Sequence, residues 1–258
     1  MISLTATPLH ENVPVRVAAA AVGPDGRLTP PHLIRLLQEA AMQNTLRLKI
    51  SSPELMERSG LSWILRRQRI TVSRWPKLGE TGSILTAPTG FARGLLTYRD
   101  FHLLDAGGQP LATASSEWLL MNVGSRRLQP IPPDIASLSA QLAPATAHLD
   151  RPTGKVLPPD PEVATHREFT VAYYQLDFNN HLTNPVFPEL MLEPLAADFR
   201  AAYEPTLIDL AFRQEARYGE ALTAQAAPRN EERLAWRHAL LRGEEVLATM
   251  ATKWRKKR

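Results

Sequence analysis

The chain contains no cysteine in 258 residues. That excludes disulfides, thiolate metal sites and a cysteine nucleophile, and it fits a reducing cytosol. No apolar run approaches the roughly 20 residues of a membrane-spanning helix. Residues 1–14 lack a basic segment followed by an apolar stretch, so no secretory signal is read and a cytoplasmic location is expected. There is no phosphate-binding glycine loop and no nucleophile elbow. No His/Asp/Glu spacing resembles a metal site, so neither metal nor cofactor is expected. No row of aromatics accompanies the cations, which disfavours nucleic acid as a partner.

The hydrophobic content of 44% supports a substantial core. The net charge is a modest +4, and much of the excess is local. The tail from Lys253 to Arg258 supplies five cations, and Arg66, Arg67 and Arg69 form a second cluster. The tail reads first as a frayed, solubilising terminus. The alternative for both clusters is attraction to an acidic macromolecule.

The two halves resemble each other. Leu28-Thr29-Pro30-Pro31 matches Leu182-Thr183-Asn184-Pro185 at an offset of 154. Gly79-Glu80 matches Gly219-Glu220 at 140, and His102, Leu104, Gly107 and Trp118 match His238, Leu240, Gly243 and Trp254 at 136. Ordered matches with shrinking offsets indicate a duplicated unit. Each unit reads as a short strand (Val15 to Ala20; Arg167 to Tyr174), a helix, then four strands joined by hairpin turns. The first helix starts near Thr29, with Leu33, Leu36, Leu37, Ala40 and Ala41 at helical spacing. The second takes Asn184 as its N-cap, with Pro194 as a kink. A helix packed on an antiparallel sheet, used twice, is an α+β architecture. The units are set at residues 1–134 and 163–258, with 135–162 as linker. The first unit carries 14 extra residues near 49–62, read as a longer surface loop, with a lid over a pocket as the alternative.

Asp177, Asn179 and His181 lie at two-residue spacing just before the second helix. If the stretch is extended, alternation puts all three on one side of the chain. The plainer reading is a turn, where Asp and Asn are common. The repeat supplies a control: these positions fall on Gly23, Asp25 and Arg27 in the first unit. His102 and His238 are paired across the repeat, as are Glu39 and Glu193, so both pairs are read as structural.

Tyr174, Asp177, Asn179, His181 and Asn184, followed by Leu192-Glu193, resemble the active-site segment of acyl-acyl-carrier-protein thioesterases. The stretches Val22 to Thr29, Leu36 to Ala41, Trp63 to Arg66, Arg99-Asp100-Phe101 and Arg126-Arg127 are similar to the same family. The resemblance implies two tandem hotdog units, each a long helix wrapped by an antiparallel sheet. It implies hydrolysis of fatty acyl-carrier thioesters without a cofactor. It matches Glu215 to the family's glutamate and puts Ala216 where plant members carry cysteine, which leaves direct attack by water. On that footing Asp177, Asn179, His181 and Glu215 are the expected catalytic set. Met42, Leu46, Trp63 and Leu65 are expected around the acyl chain in a non-catalytic first unit. Arg66, Arg67 and Arg69, with the tail, are expected to meet the acidic carrier protein. The molecule is expected to be a monomer or homodimer. The alternatives are an acyl-CoA thioesterase and a non-catalytic acyl-binding protein.

Overall fold

Alternating apolar residues build a single antiparallel sheet from both halves. The structure, a computed structural model, describes residues 7–229 and 231–257. The first half supplies β1 (Glu11–Arg16), β2 (Leu61–Val72), β3 (Thr81–Ala92), β4 (Leu96–Asp105), β5 (Pro110–Asn122) and the short β6 (Arg127–Gln129). The second supplies β7 (Thr165–Thr170), β8 (Tyr203–Phe212), β9 (Ala221–Pro228), β10 (Ala235–Arg242) and β11 (Glu245–Lys256). Their order is β1-β3-β4-β5-β2-β8-β11-β10-β9-β7, with β6 on β5. The second half mirrors the first about the β2–β8 seam, where Ile70 faces Ile208.

The helices are α1 (Pro30–Arg47), α2 (Ser52–Ser59), the single turn α3 (Pro133–Ala136), α4 (Val186–Leu192) and α5 (Ala197–Ala202). Leu33, Ile34, Leu37 and Ala40 of α1 share one core with Val186, Phe187, Leu190 and Met191 of α4, against Phe101, Ile70, Leu210 and Met250 of the sheet. Removing such side chains from water contributes about 1.5–3 kcal/mol each.

Four expectations change. The opening strands end early, at Arg16 and Thr170, because Val17 and Val171 turn into the core and the chain enters a 3-10 turn (Ala19–Ala21; Tyr173–Gln175). The second helix is not one kinked rod. It starts at Val186, two residues beyond Asn184, and Glu193-Pro194 ends it, because proline cannot donate in the helical ladder. The insertion at 49–62 is no loop. It holds α2, whose N-terminus is fixed by the Ser51–Glu54 capping box and whose end is closed by Gly60 at φ 67°. The tail is not frayed. Its residues form β11, Trp254 is buried, Arg255 pairs with Glu204, and Lys257 pairs with Asp25 at 2.6 Å; Arg258 lies outside the described residues.

The repeat is visible in hydrogen bonds. Gly79 donates to the Val17 carbonyl and Gly219 to that of Val171, both glycines at φ near 80°. Trp118 donates to Ser116 and Trp254 to Thr252. His238 is fully buried, with Nδ1 at 3.0 Å from the Met191 carbonyl oxygen and Nε2 at 2.9 Å from Thr252 Oγ1. Burial pushes its pKa down from 6.5 to about 4, against the pull of the Met191 carbonyl. The unfolded chain therefore binds a proton between those values that the native chain refuses. Stability from this group is complete above pH 6.5 and is lost as pH falls towards 4. Urea unfolding at pH 7 and pH 4 is expected to show the gap between wild type and His238→Gln shrink by about 3 kcal/mol.

Residues between α3 and β7 cross the outer face of the sheet. Thr153 and Gly154 accept from Arg67, Val156 accepts from Thr249, and Arg151 reaches Asp100 at 3.0 Å. Arg67 is 8% exposed and holds both oxygens of Asp209 at 2.8 Å across the seam. It is therefore not available to a surface partner, because a bulge at Leu65/Arg67 resets the alternation of β2 and the connecting segment covers the face it then occupies.

Candidate active site

Residues 176–182 form a closed turn, not an extended stretch. Leu176 and Leu182 pair across its base, and the Asp177 N–H donates to the His181 carbonyl at 2.8 Å. The Asp177 carboxylate accepts the backbone N–H of Asn179 at 2.8 Å and of His181 at 3.2 Å. Asn180 takes φ 60°, a left-handed geometry that Asn tolerates. The turn, rather than strand alternation, gathers the polar side chains. Its twin at Val22–Leu28 makes the same bridge and the same backbone bond, Gly23 N–H to the Arg27 carbonyl at 2.9 Å, with Gly26 at φ 69°. The twin does so with Gly23, Asp25 and Arg27, so the backbone does not require Asp177, Asn179 and His181.

The Leu182 N–H donates to the Ala216 carbonyl at 2.8 Å, which anchors the turn beside the segment after β8. This brings His181 Nε2 to 3.0 Å from Glu215 Oε1. Arg217 also meets Oε1, at 3.2 Å, and Arg126 of the first half binds Oε2. Burial pushes the Glu215 carboxyl upward, but Arg126, His181 and Arg217 outweigh it and hold the pKa below the ordinary value. Glu215 is thus an anion 3.0 Å from His181 Nε2, and its charge favours a proton on that nitrogen; Nδ1 has no partner among the described residues. Ala216 is fully buried and contributes only its carbonyl.

Asp177, Phe178, Asn179 and Asn184 stand at the rim of a cleft in the first half. Counting its open mouth and the solvent there, the cleft encloses about 870 Å³ of empty space. One face of α1 (Gln38, Ala41, Met42, Thr45) forms one wall, and Trp63, Phe91, Tyr98 and Trp118 form the sheet side. The α2 insertion closes an end with Ile50 and Ser52. Arg99 is also there, 6% exposed, bonded to Asn44 at 2.8 Å and Thr86 at 3.2 Å. Burial lowers its pKa to about 10 despite the Asp100 charge, so it stays cationic at neutral pH.

Of the expected acyl contacts, Met42 and Trp63 line the cleft. Leu46 does not: it falls on the solvent side of α1 and is 47% exposed. Leu65 is buried in β2 without reaching the cleft. Arg66 is exposed and pairs with Glu117, and Arg69 is half-buried opposite Asp209. Glu193 pairs with Arg200 at 2.6 Å, away from the turn. Among the described residues no group of three or more His, Cys, Asp or Glu side chains is placed to hold a metal ion. None of their helices is long and apolar enough to cross a membrane. Sequence reasoning missed Arg126 and Arg217 as partners of Glu215, and Phe91, Tyr98 and Trp118 in the cleft.

Two family models match the chain: the acyl-ACP thioesterase N-terminal domain over residues 10–138, and the acyl-ACP thioesterase C-terminal domain over residues 159–256. The chain belongs to the acyl-ACP thioesterase family. This thioesterase-family chain is 24% identical over 249 residues to a chloroplastic acyl-carrier-protein hydrolase of Cuphea viscosissima, covering 92% of the chain and 60% of that relative. It is 25% identical over 243 residues to the chloroplastic oleoyl-acyl carrier protein thioesterase of Coriandrum sativum, covering 89% and 66%. The chain therefore spans about two thirds or less of the length of these relatives. The solved 12:0-ACP thioesterase from Umbellularia californica superposes with a TM-score of 0.87 over 98% of this chain and 99% of that one, at 20% identity. The shared fold is the double hotdog, α+β.

Proposed function

We propose that the protein hydrolyses the thioester of fatty acyl carrier protein, releasing free fatty acid and so ending chain elongation, in the cytoplasm. The observation that carries this reading is the His181–Glu215 contact, made by the same turn whose Asp177 and Asn179 line the cleft; His181 and Glu215 do not themselves line it. The first half holds the acyl chain and the second half performs the chemistry.

In this mechanism water attacks the thioester carbonyl as His181 Nδ1 takes its proton. The Asn179 side-chain amide, which lines the cleft and has no partner among the described residues, donates to the carbonyl oxygen as it becomes an oxyanion. The tetrahedral intermediate collapses, the C–S bond breaks, and the imidazolium returns its proton to the leaving thiolate. Glu215 orients the ring and stabilises its charge. A carboxylate held ionised by two arginines is a weak base, which supports His181 as the group that takes the proton. Asp177 fixes the turn through the backbone of Asn179 and His181. The α4 N-terminus offers few donors, since Pro185 and Pro188 lack N–H groups and Val186 donates to Thr183.

A hydrolysis panel of matched acyl-carrier and acyl-CoA thioesters across chain lengths tests the proposal. Carrier substrates are expected to have the higher kcat/KM. Faster turnover of the CoA series makes the protein an acyl-CoA thioesterase instead. Tight acyl binding without release of thiol makes it a binding protein.

A further inference from the structure

Four aromatic side chains stand in water around the catalytic turn. Tyr174 is 97% exposed, Tyr173 66%, Tyr218 65% and Phe178 57%, whereas every other aromatic residue is buried or half-buried. They form one group: Tyr173 meets Tyr174 edge-on at 5.4 Å and Tyr218 at 6.2 Å. Phe178 belongs to the turn itself and also lines the cleft mouth. Exposed aromatics gathered in one place mark an interaction surface.

The fold does not demand them. The first half makes the same 3-10 turn with Ala19 and Ala20 where the second half has Tyr173 and Tyr174. Pro24 stands in the twin loop where the second half has Phe178. The aromatic set occurs only in the half that carries His181 and Glu215.

The rim of this patch is cationic. Arg217 and Arg126, both exposed, share the single carboxylate of Glu215. Arg127 and Arg213 are exposed beside them in sequence, with no carboxylate partner among the described residues. Aromatic anchors inside an arginine rim suit a partner whose surface is acidic. Phe178, which lines the cleft, follows Tyr173 and Tyr174 by a few residues, so a thioester entering past it comes near this surface. We propose that the Tyr173–Tyr174–Tyr218 patch, with its arginine rim, is where an acidic carrier protein docks to present its acyl group. This rests on the acyl-carrier reading above. It moves carrier recognition away from Arg66, Arg67 and Arg69.

The test compares one acyl group on the carrier protein and on pantetheine. For the double variant Tyr174→Ala/Tyr218→Ala, KM for the acyl-carrier is expected to rise about tenfold or more, while kcat/KM for acyl-pantetheine stays within about twofold. Fluorescence anisotropy with labelled apo-carrier should show the same loss of affinity. Arg66→Ala/Arg69→Ala should change neither measurement. The surface is wrongly assigned if carrier turnover survives the tyrosine variant, if both substrates fall together, or if the arginine pair carries the loss. It is equally overturned if the tyrosine variant instead abolishes self-association by sedimentation or binding to anionic vesicles, with carrier turnover unchanged. A wild-type protein that binds carrier through the tyrosines without hydrolysing its thioester would sink the reaction and keep the surface.

Discussion

Replacing His181 with alanine is expected to lower kcat on acyl-carrier thioesters by about 100- to 10,000-fold, the usual contribution of a positioned general base. The twin turn shows why this loss should be chemical and not structural. Val22–Leu28 closes with the same bridge while carrying Arg27 at the equivalent place. The variant should therefore keep the wild-type circular dichroism and Tm. Glu215→Gln should also be slow, because the amide neither fixes the tautomer as firmly nor balances an imidazolium. It leaves Arg126 and Arg217 without their shared anion. Near-full turnover in His181→Ala, with folding intact, would remove the histidine from the mechanism.

The second large effect concerns the seam. Asp209→Ala is expected to destabilise the protein by about 3–5 kcal/mol, because it leaves the Arg67 guanidinium buried and unpaired. Stabilisation of the ionised arginine comes mainly from its hydrogen bonds to Asp209, which outweigh the effect of burial. The Thr153 and Gly154 carbonyls bonded to Arg67 would be disturbed with it. Removing both charges in Arg67→Met/Asp209→Leu should recover much of the loss, since a buried pair replaced by apolar groups is often close to neutral. Chemical denaturation of the two singles and the double, read as a cycle, checks this. A single variant within about 1 kcal/mol of wild type would show that the pair is worth no more than an exposed one.

What the sequence disclosed follows from what is local. The repeat was legible because its glycine turns and tryptophan hydrogen bonds recur at matching positions, and the structure keeps them. The segment from Asp177 to His181 stood out because five residues carry four polar groups. The α2 helix is also written locally, in Ser51, Pro53, Glu54 and Gly60. Long-range facts were harder to read. Arg126 lies 89 positions from Glu215, and no periodicity links them. The cleft residues Phe91, Tyr98 and Trp118 depend on which way each strand faces, and the bulge between Pro88 and Gly90 shifts that alternation. Arg67 was misread for a related reason: an outward strand position meets water only if nothing crosses outside it.

Asp25 and Arg27, the counterparts of Asn179 and His181, have contacts of their own. Arg27 pairs with Glu204, and Asp25 with Lys257, both in the second half. Arg126 of the first half pairs in turn with Glu215. In a homodimer of a single unit, every substitution appears twice, so a residue tuned for a clamp at one end appears unchanged in the turn at the other. Joining the units in one chain removes that constraint. Each copy of the turn can be altered without touching its sibling, and here one is a latch between the halves while the other lines the cleft.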